Sequence, residues 1–260
     1  MAQIRLDKFL SNRTAYSRSE VKKLLQGGKV LVDGNAIIDG SRKIDPDVQS
    51  VTCCGKPVRT NEHVYVIVNK PEGFITATED REHRTVMELV PEELRVRGLA
   101  PAGRLDIDST GLLLLTDDGD LAHRMLSPRH HVPKVYLIRL ARAVEPDYTD
   151  KLRAGLTLAD GTACLPAEFL PLPVQGHHAL IRLHEGKYHQ VKRMLAALGN
   201  HVEHLHRVAV GELVLPPELP LGGHLEILHK DVEKLLKPGD LSALCERIVS
   251  EFSSYSINEG

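Results

Sequence analysis

Residues 102–119 read AGRLDIDSTGLLLLTDDG, four leucines between two pairs of aspartates. Leu112–Leu115 has the character of a core strand, and unpaired charge beside a core strand is expensive. Any fold of this chain must therefore bury the leucines and give Asp106, Asp108, Asp117 and Asp118 a use or a way out to water. Asp117-Asp118-Gly119-Asp120 has an ordinary explanation. Asp-Gly makes a turn, and an aspartate just before LAHRMLS suits a helix N-cap. The first pair is harder to place. DIDSTG matches the opening of a calcium loop, but Leu114 falls at the ninth position and Asp117 at the twelfth, with leucines where oxygen donors are needed. A glycosidase would also use two acids, but one of them must be held protonated. Arg104 lies two residues before Asp106. In an extended chain the two share a side, where they pair with each other or face a common ligand.

The first sixty residues read as a separate unit. LDKFLSNR has short amphipathic helix spacing. SRSEVKKLLQGG predicts a second helix, with Ser17 and Glu20 spaced as a capping box and Gly27-Gly28 as the stop. KVLVDG follows as a strand ending in an Asp-Gly turn, with NAII as its hairpin partner. Residues 1–59 hold eleven Lys/Arg against six Asp/Glu, a local surplus in a chain whose total is 33 against 35. Arg5, Lys8, Arg13, Arg18, Lys22 and Lys23 crowd the two helices, a segregation that suits a phosphate-binding surface better than a solvated face.

From Val64 the texture changes. VYVIVNKP reads as a buried strand stopped by proline. Further strands are expected at GLLLLTDDG, KVYLIRLA, around Cys164, at ALIRLHEG and from Val202 to Leu215. Helices are expected at Leu121–Leu126, Pro146–Leu156, Tyr188–Leu198 and Lys230–Leu236. Strands outnumber helices without regular alternation, which predicts an α+β fold with a mixed, largely antiparallel sheet and flanking helices. The boundaries read as 1–60 for the N-terminal unit, 61–236 for the second domain and 237–260 for an acidic, flexible tail.

Two later stretches are basic and rich in histidine. HRMLSPRHHVPKVYLIR sets Arg124, Arg129, Lys134 and Arg139 among three histidines, with no acid between Asp120 and Glu145. Lys134 and Tyr136 share a strand face there. HEGKYHQVKRMLAALGNHVEHLHR places Val191, Leu195 and Leu198 in an apolar stripe. Tyr188 and Lys192, four apart, lie at its border. His201, His204 and His206 invite a metal reading, but the last two simply alternate on a strand. Imidazoles concentrated among cations suit RNA contact.

Composition excludes little. The chain is 42% hydrophobic and 26% charged, as in an ordinary globular protein. Arg5, Asp7 and Lys8 occupy the place of a signal peptide's apolar core. Four leucines are far short of a membrane span. Four cysteines without CxxC spacing imply reduced thiols in a cytosol.

Together NKPEGFITA, GRLDIDSTGLLLLTDDG, SPRHHVPKVYL and EGKYHQVKRMLAALGNHVEHLHR resemble the bacterial rRNA pseudouridine synthases. The YHQVK wording is similar to the branch that modifies small-subunit (16S) rRNA. RLDKFLSNRTAYSRSEVKKLLQGGKVLVDG resembles the S4 RNA-binding domain that precedes the catalytic domain in that branch. The resemblance runs from Arg5 to about Lys234. It implies that Asp106 is the catalytic aspartate and that Tyr136 stacks on the uracil. Arg104 then helps hold the flipped-out nucleotide or its vacated place, and Lys192 is a basic partner for the aspartate where relatives often carry arginine. Asn69, Lys70 and Pro71 match a motif of mainly structural role. Arg129 and Lys134 are expected to contact RNA, together with Arg5, Lys8, Arg18, Lys22 and Lys23. No cofactor and no metal are implied. The expected partner is ribosomal RNA, met in a small-subunit assembly intermediate by a cytoplasmic monomer that touches no membrane. Two competing readings are a large-subunit (23S) uridine as target, and a non-catalytic RNA-binding assembly factor.

Overall fold

The computed structural model describes residues 3–60, 63–127, 130, 132–173 and 176–251. The chain forms two compact units. One comprises Met1–Val64 with Val90–Ala100 and Thr116–Asp118; the other comprises Tyr65–Leu89, Pro101–Leu115 and Gly119–Gly260. The first unit thus takes in two short segments beyond the boundary near residue 60 that composition suggests.

In the first unit, helices α1 (Leu6–Arg13) and α2 (Arg18–Gln26) precede a four-stranded sheet ordered Asn35–Ala36, Val30–Val32, Val51–Cys53, Lys56–Pro57. The expected capping box is present. The Ser17 backbone N–H donates to Glu20 Oε2 at 2.7 Å, and the Glu20 N–H donates to Ser17 Oγ at 3.4 Å. Leu6, Phe9, Leu10, Val21 and Leu25 turn inward from the helices onto Val30, Val32 and Ile44. Asp117 belongs to this unit and shapes it, its Oδ1 accepting from the Val64 N–H at 2.7 Å.

The second unit is built on a nine-stranded mixed sheet, against which helix α3 (Gly119–Leu126) packs Leu121 and Met125 on Leu112 and Leu114. Its main path runs Glu168–Pro171, His178–Leu183, Lys134–Leu140, Val202–Val210, Thr110–Thr116, Tyr65–Lys70, His224–Glu226. Lys134–Leu140 sits antiparallel between His178–Leu183 and Val202–Val210. Val202–Val210 then pairs parallel with Thr110–Thr116, Arg207 facing Gly111. That parallel pairing explains the glycine. Gly111 has φ +105, and a Cβ there would stand 2.4 Å from the Arg207 carbonyl oxygen. Only glycine lets the leucine strand close on its neighbour. Leu112, Leu113, Leu114 and Leu115 are all buried, as their run predicts.

Successive residues of Lys134–Leu140 feed opposite faces of the sheet. Ile138 and Leu140 pack into a core shared with α4 (Tyr148–Ala154) and α5 (Gln190–Ala197), which supply Leu152, Val191, Met194 and Leu195. Val135 and Leu137 face the other way, onto Leu241, Leu244 and Ile248. Those three residues belong to a helix, Leu241–Ser250, in the segment that composition assigns to a flexible tail. The Asp240 carboxylate caps it, accepting from the Ser242 and Ala243 N–H groups. An acidic composition hid an i, i+3, i+7 apolar stripe. Burying three such side chains is worth about 1.5–3 kcal/mol each, enough to hold the helix against the sheet. Residues 252–260 lie outside the described residues.

Two smaller expectations change. The helix after Asp118 begins at Gly119, so Asp120 lies in its first turn and not at the cap. Tyr188 and His189 precede α5 instead of opening it, because His189 adopts a left-handed conformation at φ 48, ψ 35.

Candidate active site

The loop from Arg104 to Ser109 leaves the core just before the leucine strand, and buried side chains hold it from below. Lys70, at the end of strand Tyr65–Lys70, is fully buried. Its Nζ donates to the carbonyl oxygens of Ser109 (2.7 Å), Asp106 (3.0 Å), Pro71 (3.0 Å) and Ile107 (3.4 Å). Burial lowers its pKa to about 8, opposed by the nearby charges of Asp108, Glu72 and Asp106. Arg207, also buried, donates from Nε to the Leu112 carbonyl at 2.7 Å and from Nη1 to the Arg104 carbonyl at 3.2 Å. Thr76 fixes Leu105 twice, its hydroxyl donating to the Leu105 carbonyl at 2.8 Å and accepting from the Leu105 N–H at 3.1 Å. The carboxylate of Asp106 therefore stands on a backbone bound at each neighbouring residue. Such support preorganises a reacting group.

Asp106 opens into a cavity of about 310 Å³ together with Arg104, Tyr136, Glu185, Tyr188 and His189. A second cavity of about 520 Å³ shares Arg104, Tyr136 and Gly186 with it and adds Lys134, Arg207, Leu114 and Met125. The structure thus brings Arg104, Asp106 and Tyr136 into one hollow and sets Lys134 beside it. Burial, aided by the Arg207 charge, lowers the Lys134 pKa to about 8. A cationic rim, an aromatic ring and one partly exposed carboxylate suit a flipped-out nucleotide. Arg129, expected to join this rim, lies outside the described residues.

Lys192 is placed differently from expectation. Its Nζ lies 2.6 Å from Asp108 Oδ2, not on Asp106. The turn closed by the Ser109 N–H on the Asp106 carbonyl, at 3.1 Å, carries Asp108 out to helix α5, whose third residue is Lys192. Burial pushes the Asp108 carboxyl up, but the Lys192 hydrogen bond and charge outweigh it, and the net shift is downward. The ring facing Asp106 in its place is that of His189, with Nε2 at 3.6 Å from Oδ1. Beneath the same strand pairing, His206 is buried against the Thr110 hydroxyl at 2.7 Å, and desolvation lowers its pKa to about 4. His206 is thus a neutral spacer in the core, not an RNA contact.

In the first unit, Arg5, Lys8, Arg18 and Lys22 line one hollow with Asp7 and Asp39. Arg5 is partly occupied by Asp7, 2.7 Å from its Nη2. Lys23 is exposed on α2 but does not line that hollow.

These features fit a known class. Residues 64–197 match the RNA pseudouridylate synthase family, and residues 4–49 match the S4 domain. The chain is 42% identical over 238 residues to an uncharacterized RNA pseudouridine synthase, YtzG, of Bacillus subtilis (strain 168), covering 90% of this chain and 99% of that one. It is 40% identical over 233 residues to the ribosomal small subunit pseudouridine synthase A of Vibrio parahaemolyticus, covering 89% and 99%. The protein of the same name from Escherichia coli (strain K12) is 35% identical over 234 residues, covering 90% and 100%. A solved crystal structure of a pseudouridylate synthase superposes with a TM-score of 0.62 at 35% identity, over 89% of this chain and 99% of that one. The chain belongs to the RNA pseudouridylate synthase family.

Proposed function

We propose that this chain isomerises a uridine of small-subunit ribosomal RNA to pseudouridine, with Asp106 as the reacting carboxylate. The observation that carries the reading is the placement of Asp106, on a loop clamped by Lys70 and Arg207, in one cavity with Arg104 and Tyr136. The reaction breaks C1′–N1, turns the uracil and forms C1′–C5, with the C5 proton released at the end. An ionised carboxylate serves it either by attacking C1′ or by removing the 2′ proton, and neither route activates a water. Tyr136 supplies the stacking face for the uracil, and Arg104 and Lys134 hold phosphates around the extruded nucleotide. Lys192 acts through Asp108, neutralising the acidic turn that carries Asp106. The buried leucines behind the loop keep the floor dry, so that the freed base is not lost to hydrolysis. Relatives named for the small ribosomal subunit favour that RNA, which this reading has the chain meet in a subunit still assembling. Arg5, Lys8, Arg18 and Lys22 of the first unit, with Lys23 nearby, bind its phosphates.

Tritium release from small-subunit rRNA labelled at uracil C5 tests this directly. Release by the wild-type chain and none by Asp106→Asn is the expected result. Release by both would move the chemistry to another residue. Release only from large-subunit RNA would reassign the target, and none from either would leave an RNA-binding assembly factor.

A further inference from the structure

The loop preceding α5 carries an aromatic ring that neither the core nor the chemistry at Asp106 uses. Tyr188 is 75% exposed. Its ring stacks on that of His189 with centroids 3.8 Å apart and planes 19° from parallel, and His189 in turn faces Asp106 at 3.6 Å. The contacts therefore run in series from the Asp106 carboxylate to the His189 ring to the Tyr188 ring, all three on the lining of one cavity. His189 holds its place with a left-handed backbone, which a side chain of its kind adopts only at a cost. The surrounding loop is tied down on both sides. The Gln190 side chain accepts from the Lys187 N–H at 2.9 Å and donates to Glu185 at 2.6 Å. Arg193 donates to the Tyr188 carbonyl at 3.3 Å and is itself paired with Asp160. A ring kept in water on a strained, braced loop is a preorganised contact surface, since little freedom is left to lose on binding.

We propose that Tyr188, stacked on His189, is a platform for the base of a nucleotide adjoining the uridine that enters the Asp106 cavity. This rests on the RNA isomerase reading above. Pulling one nucleotide out of a strand leaves a neighbour with an uncovered face, and an aromatic ring at the cavity mouth covers it without regard to base identity. His189 then has two jobs on its two sides: it backs the platform and borders the reacting carboxylate.

The chain contains no tryptophan, so Tyr188→Trp creates a single tryptophan at the site, excited selectively beyond the tyrosine band. Titration of that full-length variant with a small-subunit rRNA transcript should quench its emission, with the same midpoint as binding measured by filter retention. Tyr188→Ala should weaken binding of the same transcript by about 5- to 150-fold, the range of one lost base stack. Tyr188→Phe, which keeps the ring, should recover most of that loss. Melting temperature should stay put in all three, because the ring buries little in the free chain. Binding without quenching, or equal binding by Tyr188→Ala, would overturn the platform while leaving tritium release by the unaltered chain intact. Absence of that release from every RNA would strike the isomerase reading itself, and the platform with it.

Discussion

The two units use the same residue types in opposite ways. In the first, cations stand at the surface around a shallow hollow: Lys8, Arg18 and Lys22 are all exposed. In the second, Lys70 and Arg207 are buried and spend their N–H groups on backbone carbonyls of the loop around Asp106. An exposed cation costs little to keep and is free for a phosphate. A buried one must be fully satisfied inside the protein, and it returns rigidity instead of binding. Net charge cannot distinguish these uses; only their surroundings do.

The contrast can be broken by substitution. Lys70→Met removes a buried cation and leaves four carbonyl groups facing a methyl. It should cost about 3–5 kcal/mol in chemical denaturation and abolish tritium release. If stability is unaffected, the clamp is not what holds the loop. The pH dependence of stability should be nearly as large. The folded pKa of His206 lies at about 4, below its unfolded value, so the unfolded chain takes up the proton first. Stability is full above pH 6.5 and falls as pH drops from there towards 4, by about 3 kcal/mol in all. His206→Gln should flatten that part of the curve. At the other extreme, Arg18→Gln with Lys22→Gln should leave unfolding within about 0.5 kcal/mol of wild type. The same pair should flatten the salt dependence of RNA binding, lowering its log–log slope by about 1–2. An unchanged slope would remove those side chains from the RNA surface. Lys192 and Asp108 lie between the two extremes, at 22% and 60% side-chain exposure, and a double-mutant cycle on stability should return only about 0.2–1 kcal/mol.

Local structure is legible in the sequence where one element decides it. The Ser17–Glu20 box, the stop at Gly27-Gly28, the leucine strand and the strand at KVYLIRL all follow from patterns within a dozen residues. Arg104, Asp106 and Tyr136 are found together where motif resemblance sets them. What sequence could not supply was long-range pairing. Asp108 or Asp106 as the partner of Lys192 depends on how a four-residue turn presents two carboxylates to a helix 84 positions away. The burial of Arg207 was hidden because HLHR reads as a basic stretch until its strand is laid beside Gly111. The residues around His189 have helical spacing, but its own backbone is left-handed. Its left-handed backbone is set by the bracing of the loop, which no local preference encodes. In the C-terminal segment the stripe Leu241, Leu244, Ile248 is legible beneath an acidic composition, which says nothing about which face of a helix is buried.

The bracing of the Asp106 loop also bears on how the protein comes to be. Lys70 reaches residues 36 to 39 positions downstream, and Arg207 reaches back 95 and 103 positions to Leu112 and Arg104. Contacts so distant along the chain carry the loop-closure cost of everything between them, and they form late on a folding path. The loop around Asp106 therefore cannot take this braced form until residue 207 has been made and its strand laid down, whereas the basic N-terminal helices belong to the other unit and need nothing from it.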